Sequence, residues 1–517
     1  MSAGGLLLAM TTPASASPAP AGASPRRHPD PTTPDLVIAQ AAAGRRYHFP
    51  GATKLSDGTI LVVARDGVSH SDPTGRLHLV RSTDNAATWS EPVTIWDSLG
   101  DDRDPKISVT ASGRVFVQWF TSSVAGSPPG VVSGVFVMSS DDGGLTWSTP
   151  TIVGTSMEWI AEHGRVTEMP DGTLLSPVYG PGGRSAIVRS TDGGLTFPAE
   201  NEYIFDTGGV GTNEVTLTVL PDGQVTAWLR PNAQGAPSLL LRSFDSGYSW
   251  SSPEFSDLRQ SSAETLVLRS GRVLAAYGDV SYRFGLRRLT SAALISQPGR
   301  PWNPGVTIPV WDAFVDDQAN PALVELDADT VLVVGFAYSP RQIVGTRVSL
   351  RDFEQAPTDA SQLIGRIDLA AMVRAGTATV TTDLTSTTTS PSTTGPMGAI
   401  DGRLGLATTA LGSTTQLTSG TYLLEFSVPV RARQAGVALR PGENQDATVE
   451  IRRLDGTWRR VGHLDHAWRY GDVDWFSLGG SQQLTGLRVT TTTSSEVRPP
   501  NSGALPRPVA ITEITLR

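Results

Sequence analysis

Through the first two thirds of the chain, short runs of alternating apolar and polar residues are each followed by a tight-turn signal and a nearly continuous apolar run. Such a pair reads as a β-hairpin whose second strand is covered on both faces. Six copies occur: HFPGATKLSDGTILVVARD, RDPKISVTASGRVFVQWF, EHGRVTEMPDGTLLSPVYG, NEVTLTVLPDGQVTAWLR, SAETLVLRSGRVLAAYGD and ANPALVELDADTVLVVGFAY. Their turns carry Gly58, Gly113, Gly172, Gly223 and Gly271, with Asp329 in the sixth, at spacings of 48 to 59 residues. One hairpin plus a further strand pair per fifty residues predicts a four-stranded blade, and six blades predict a propeller around a central channel. DLVIAQ, Asp35–Gln40, is the expected closing strand of the last blade.

A second motif, Ser-x-Asp-x-Gly-x-Thr/Ser-aromatic, falls between the copies. It occurs at Ser82–Trp89 (with Ala86 for the glycine), Ser140–Trp147, Ser190–Phe197 and Ser243–Trp250. The aspartate suits local backbone N–H groups, the glycine a tight turn, and the aromatic the gap between sheets, so its expected role is structural.

Composition narrows the chemistry. There is no cysteine, which excludes disulfides, thiolate metal sites and cysteine nucleophiles. Lys54 and Lys106 are the only lysines, against 39 arginines, so an anion site would be built from guanidinium groups. The net charge of −9 argues against a nucleic-acid partner. Residues 1–34 begin with an apolar run, Leu6–Met10, and small residues with Ala-x-Ala spacing, which resembles a secretory signal remnant ahead of a disordered leader. Export, no membrane insertion and a monomer are the resulting expectations. Thr381–Pro396, TTDLTSTTTSPSTTGP, reads as a spacer. The expected organisation is therefore all-β: a six-bladed β-propeller over 35–355, a helix and Thr/Ser-rich linker over 356–397, and a β-sandwich over 398–517.

In a propeller, the residues entering each innermost strand converge on one end of the channel. Nine and ten positions before each turn residue stand His48/Phe49, Arg103/Asp104, Glu162/His163, Asn213/Glu214, Ser261/Ser262 and Ala319/Asn320. Five of these six pairs carry a charged, imidazole or amide group. The second strand of each hairpin leaves near the same end and adds Arg65, Asp66, Arg230 and Asp279.

The four Ser-x-Asp turns on a sixfold repeat resemble the Asp-boxes of the sialidase (neuraminidase) superfamily, over roughly residues 35 to 355. The resemblance implies a glutamate opening the fourth inner strand and an arginine ending its partner, here Glu214 and Arg230. It also implies a further arginine in YRFGLRRLTS, Arg283, and an arginine with an acid/base aspartate in ARDGVSHSDPTG, Arg65 and Asp72, with Asp66 as the alternative. Two positions depart from the family: His48 stands where an arginine is expected, and Asn320 where a tyrosine is. The C-terminal block resembles a discoidin-like carbohydrate-binding sandwich through its strand pattern and the closing VAITEITLR.

The expectation is a secreted exo-glycosidase acting on a terminal acidic sugar of a glycan, with no cofactor or metal. Glu214, Asp72, Asp66 and His48 are the candidate catalytic groups. Arg65, Arg103, Asp104, His163, Arg165, Arg230 and Arg283 are the candidate substrate-binding groups. Two other readings stay open: a polysaccharide lyase using His48 or His163 as base on a uronic acid, and a binding propeller without turnover. HLDH, with His463, Asp465 and His466, reads as a surface turn in preference to a metal site, and Trp468, Tyr470 and Trp475 as sandwich packing or a sugar-stacking set.

Overall fold

The computed structural model describes residues 31, 33–123, 131–233, 236–256, 258–280, 288–295, 302, 306–313, 319–355, 359–386, 396–402, 404, 411–412, 419–439, 445–466, 473–493 and 510–517. Six four-stranded antiparallel sheets occupy the first 349 residues. Their inner strands are Arg46–Lys54, Asp101–Val109, Thr167–Glu168, Thr212–Val219, Gln260–Val267 and Ala322–Glu325. Each blade runs inner to outer in chain order except the last. There Leu36–Gln40 pairs with Gln342–Ser349, so the N-terminal strand closes the ring.

Between each pair of adjacent blades lies a separate apolar core. Val62 and Leu332 meet between blades 6 and 1, Leu61 and Val117 between 1 and 2, Phe116 and Val178 between 2 and 3. Leu175 and Leu229 then meet between 3 and 4, Trp228 and Tyr277 between 4 and 5, and Leu274 and Val333 between 5 and 6. Second strands feed two such cores at once, which is why they read as unbroken apolar runs. Inner strands approach so closely that a Cβ on Gly51 would stand 2.8 Å from Pro105 O and one on Gly164 2.3 Å from Val215 O.

The four Ser-x-Asp turns share one hydrogen-bond set. Asp84 accepts from Ser82 Oγ, Thr88 N and Thr88 Oγ1, and Asp142, Asp192 and Asp245 repeat it. These bonds hold all four carboxylates below their ordinary range. The aromatics Trp89, Trp147, Phe197 and Trp250 pack onto the core shared with the preceding blade.

After helix Leu350–Gln355, whose Leu350 and Phe353 seal the core between blades 5 and 6, the chain builds a second unit. Ser419–Leu439 and Asp474–Thr493 run its whole length and bend where their register breaks, between Glu425 and Val430 and between Ala432 and Gln434. One side of the bend adds Ala378–Thr382, Gln445–Arg453 and Trp458–His466, and the other adds Ala510–Leu516. Tyr422 and Leu424 from the first side share a core with Val437, Ile511 and Leu516 from the second, the β-sandwich arrangement.

The span 356–397, expected as helix and linker, is only partly so. Leu369, Ala370, Ala378 and Leu384 are buried in the sandwich core, and Leu363 packs with Leu404 and Ala438. A threonine-rich stretch reads as spacer by composition, yet threonine is β-branched and Ala378–Thr382 takes it as an edge strand.

Candidate active site at the strand mouths

In blades 1, 2, 4 and 5 the pairing of the inner strand is interrupted at its start, between His48 and Gly51, Arg103 and Lys106, Thr212 and Val215, and Ser261 and Glu264. A bulge of this kind leaves residues unpaired and re-aims their side chains. Phe49, Asp104 and Ser262 occupy the same place in three blades with φ of 55°, 51° and 52°. The left-handed region costs a non-glycine residue of order 1 kcal/mol, so the repeated strain marks a built feature of this end of the channel.

Glu214 and Arg230 come together as expected. Arg230 Nη1 donates to Glu214 Oε1 at 2.7 Å, and Ser262 N of the next blade donates to Oε2 at 2.8 Å. The carboxylate is 14% exposed and the guanidinium 24%, so both reach the mouth. Burial pushes Glu214 up, but Arg230, His163, the Ser262 N–H and Arg288 outweigh it and keep the carboxyl below its ordinary range. Arg288, the described arginine of YRFGLRRLTS, donates from Nη1 to Ser261 Oγ at 2.8 Å. Arg283 lies outside the described residues.

Asp104 is part-buried, and its buried Oδ1 has no hydrogen-bond partner among the described residues. Burial raises its carboxyl to about 6, with Glu214 adding to the rise and Arg103, Lys106 and His70 opposing it. Beside it Arg103 is clamped between Phe49 and Phe120 and donates to His70 Nε2 and to Ser71 Oγ.

The Glu162–His163 segment is held from blade 2, where Gln118 Nε2 donates to Gly164 O and to Pro177 O. Glu162 is wholly buried, with neither oxygen in a well-formed hydrogen bond among the described residues; burial and Asp104 push its carboxyl well up, against Lys106 and the nearby Gln118 amide. His163 Nε2 contacts Ala263 O at 3.2 Å, which assigns the proton to Nε2 and leaves a buried, unpartnered Nδ1. Burial and the nearby Lys106 depress His163 to about 3. Lys106 itself is buried and lowered by that burial, its Nζ donating to Asn320 Oδ1 at 2.7 Å and Pro50 O at 3.2 Å.

The other expected site residues are placed differently. Arg65 is 0% exposed and fully engaged: Nε donates to Asp101 at 2.6 Å, Nη2 to Asp72 at 3.2 Å, Nη1 to Ser69 O and toward His48 Nδ1. It braces blade 1 and does not present itself to a substrate. Asp72 accepts from Val68 N, Ser69 N, Thr74 N and Thr74 Oγ1. Against the rise from burial, these bonds bring its carboxyl to about 2. Asp66 Oδ2 is spent on Arg45 at 2.5 Å and Arg76 at 3.0 Å. His48 is 0% exposed, ringed by Phe49, His70, Phe336 and Tyr338 with centroids 5.4 to 6.4 Å away, so it cannot touch a substrate as a base. Arg165 pairs with Glu264 at 3.1 Å and faces the opposite end of the channel, a cavity of about 590 Å³ also lined by Lys54, Glu168, Arg269 and Glu325.

Sequence reasoning did not single out Arg288, Asp101, Tyr179 or Tyr338. Arg288 sits in the same motif as Arg283; Tyr338 just follows the second strand of blade 6, under Arg46 at 4.6 Å, where no residue pattern announces it. In the sandwich, Trp475 lies under Arg517 at 3.9 Å and donates to Gln362 O, a packing role. His463 is exposed beside Thr448, while Trp468 and Tyr470 and the side chains of Asp465 and His466 lie outside the described residues. Among the described residues no three acidic or imidazole groups are placed to hold a metal, and no helix is long and apolar enough to cross a membrane.

Residues 105–312 match the BNR repeat-like domain family, from the inner strand of blade 2 to the end of blade 5. The sialidase of Micromonospora viridifaciens is 30% identical over 277 residues, 47% of this chain; the chain spans 42% of the length of that relative. A protein of unknown function from Dyadobacter fermentans shares the fold, with a TM-score of 0.53 at 22% identity over 60% of this chain and 97% of its own. A Hadza microbial sialidase aligns at 19% identity and a TM-score of 0.49, covering 59% of this chain and 66% of its own. The chain is thus similar to the sialidase superfamily, and its BNR repeat-like match includes Glu162, Glu214 and Arg230 and begins immediately after Asp104.

Proposed function

We propose that the protein is an exported, sialidase-like glycoside hydrolase that removes a terminal acidic sugar from a glycan. The observation that carries the reading is the convergence at one channel end of an ionised Glu214, paired guanidinium groups and unsatisfied buried polar atoms: Asp104 Oδ1, both Glu162 oxygens and His163 Nδ1. Buried polar atoms are rarely left unpaired, and a polyhydroxylated ligand supplies the missing partners.

Arg230 and Arg288 suit the substrate carboxylate, because a planar guanidinium binds an anion through forked contacts and stays charged. Glu214, kept ionised by Arg230 and the Ser262 N–H, is suited to face the anomeric carbon as positive charge develops there, as nucleophile or electrostatic partner. His163 donates from Nε2 to the backbone, and its depressed basicity makes it a poor base for elimination, which favours hydrolysis over the lyase reading.

A panel of sialosides, glucuronides and uronic-acid polysaccharides distinguishes the outcomes. Hydrolysis releases a reducing sugar without near-ultraviolet absorbance; an unsaturated absorbing product would replace this reading with elimination, and binding without any product would replace it with recognition alone.

A further inference from the structure

We propose that Asp104 is the group that delivers a proton to the departing glycosidic oxygen; this deepens the hydrolase reading and rests on it. Hydrolysis between two carboxyl groups needs one ionised and one protonated partner. Glu214 fills the first role. For the second, Asp72 and Asp66 are the aspartates of the first-blade loop and strand, and both are tied into bonds that stabilise the carboxylate or spend it on arginines. Glu162, whose carboxyl burial pushes up, is wholly buried, so a substrate cannot touch it.

Asp104 differs from all three in geometry. A bulge and a left-handed backbone at φ 51° set it at the mouth of blade 2, in the place that Ser262, which donates to Glu214, holds in blade 5. The residue is part-buried rather than sealed, and its buried Oδ1 has no partner among the described residues. The groups acting on it are Arg103 and Lys106 of its own strand, His70 of the blade 1 loop, Glu162 and Tyr179 of blade 3, and Glu214 of blade 4. Burial and the Glu214 charge hold its proton to about pH 6, against the pull of the cations.

The Asp104 O–H proton passes to the glycosidic oxygen while the electron pair of the bond from the anomeric carbon moves onto that oxygen, giving a neutral alcohol and an Asp104 carboxylate. The anomeric carbon is taken by Glu214 through a new C–O bond. Water, deprotonated by Asp104, then displaces Glu214 and restores both groups.

The test compares wild type with Asp104→Asn on the 4-nitrophenyl and methyl glycosides of N-acetylneuraminic acid and of glucuronic acid. The expected result is a loss of about 10²- to 10⁴-fold on the methyl glycoside, whose leaving group needs a proton, and less than about 10-fold on the nitrophenyl glycoside. The alkaline limb of kcat/KM near pH 6 should vanish in the variant. Equal losses on both substrates, or a persisting alkaline limb, overturn the proposal. If wild type turns over neither sugar, the hydrolase reading fails separately, and carboxyl-¹³C aspartate labelling still tests Asp104. One resonance titrating near pH 6 should be missing in Asp104→Asn and should shift to lower pH in Glu214→Gln. A resonance assigned to Asp104 that titrates near 4, or that ignores Glu214→Gln, overturns the proposal.

Discussion

Two charged clusters lie at the same end of the channel, and they are built in opposite ways. In the blade 1 cluster, Arg65 is closed off by Asp101, Asp72, Ser69 and His48, and the Asp72 carboxylate accepts from its own loop. In the cluster of blades 2 to 5, Asp104, Glu162 and His163 hold buried atoms without partners, and Glu214 and Arg230 are part-exposed. A fully satisfied network contributes stability and specificity of structure; an unsatisfied one costs stability and is kept where a ligand completes it. Charge at a strand mouth therefore does not separate brace from site; the buried atoms of Asp104, Glu162 and His163 that find no partner among the described residues mark the second cluster, around the Glu214–Arg230 pair.

The sharpest break of the comparison is in activity. Glu214→Gln should lower kcat by about 10³-fold or more while changing unfolding free energy by less than about 1 kcal/mol, since Arg230 remains part-exposed. Steady-state kinetics and urea unfolding on one preparation check both halves. Arg65→Met should do the reverse. It leaves the buried Asp101 carboxylate without its cation and should cost about 3–5 kcal/mol in urea unfolding.

Smaller effects separate the clusters by pH. The folded Asp104 carboxyl at about 6 lies above its unfolded value, so the native state holds the extra proton and stability falls as pH rises through roughly 4 to 6. Asp104→Asn should therefore stabilise the protein at pH 8, by about 1–2 kcal/mol, and not at pH 3.5. Asp72 has the opposite sign. Its folded value of about 2 lies below the unfolded one, so its contribution is present above about pH 4 and is lost as pH falls toward 2. Asp72→Asn should cost about 1 kcal/mol at pH 7 and less at pH 3, measured as Tm against pH.

Much of the architecture was legible because the repeat is periodic. The six turn residues, the four Ser-x-Asp turns and the closing strand Leu36–Gln40 all follow from spacing and turn chemistry. The Glu214–Arg230 pair was legible too, because a hairpin brings its two ends together by register. What sequence does not encode locally is which carboxylates are already paired. Arg65 meets Asp101 across 36 residues and two blades, and no spacing rule announces that contact. The left-handed turns at Phe49 and Ser262 are equally silent, since neither residue type favours that region, and Asp104, whose type does, is one aspartate among many. The second unit begins earlier than composition suggested, because Leu369, Ala370 and Ala378 are too few to offset a threonine-rich reading.

The central claim is that the unsatisfied cluster performs the chemistry while the satisfied one holds the scaffold. Measuring kcat/KM for Asp104→Asn and Asp72→Asn on the same methyl glycoside at pH 5.5 tests it most directly. The account predicts a loss of at least about 10²-fold for Asp104→Asn and less than about 10-fold for Asp72→Asn; the opposite ranking would return the proton donor to the blade 1 loop and contradict it.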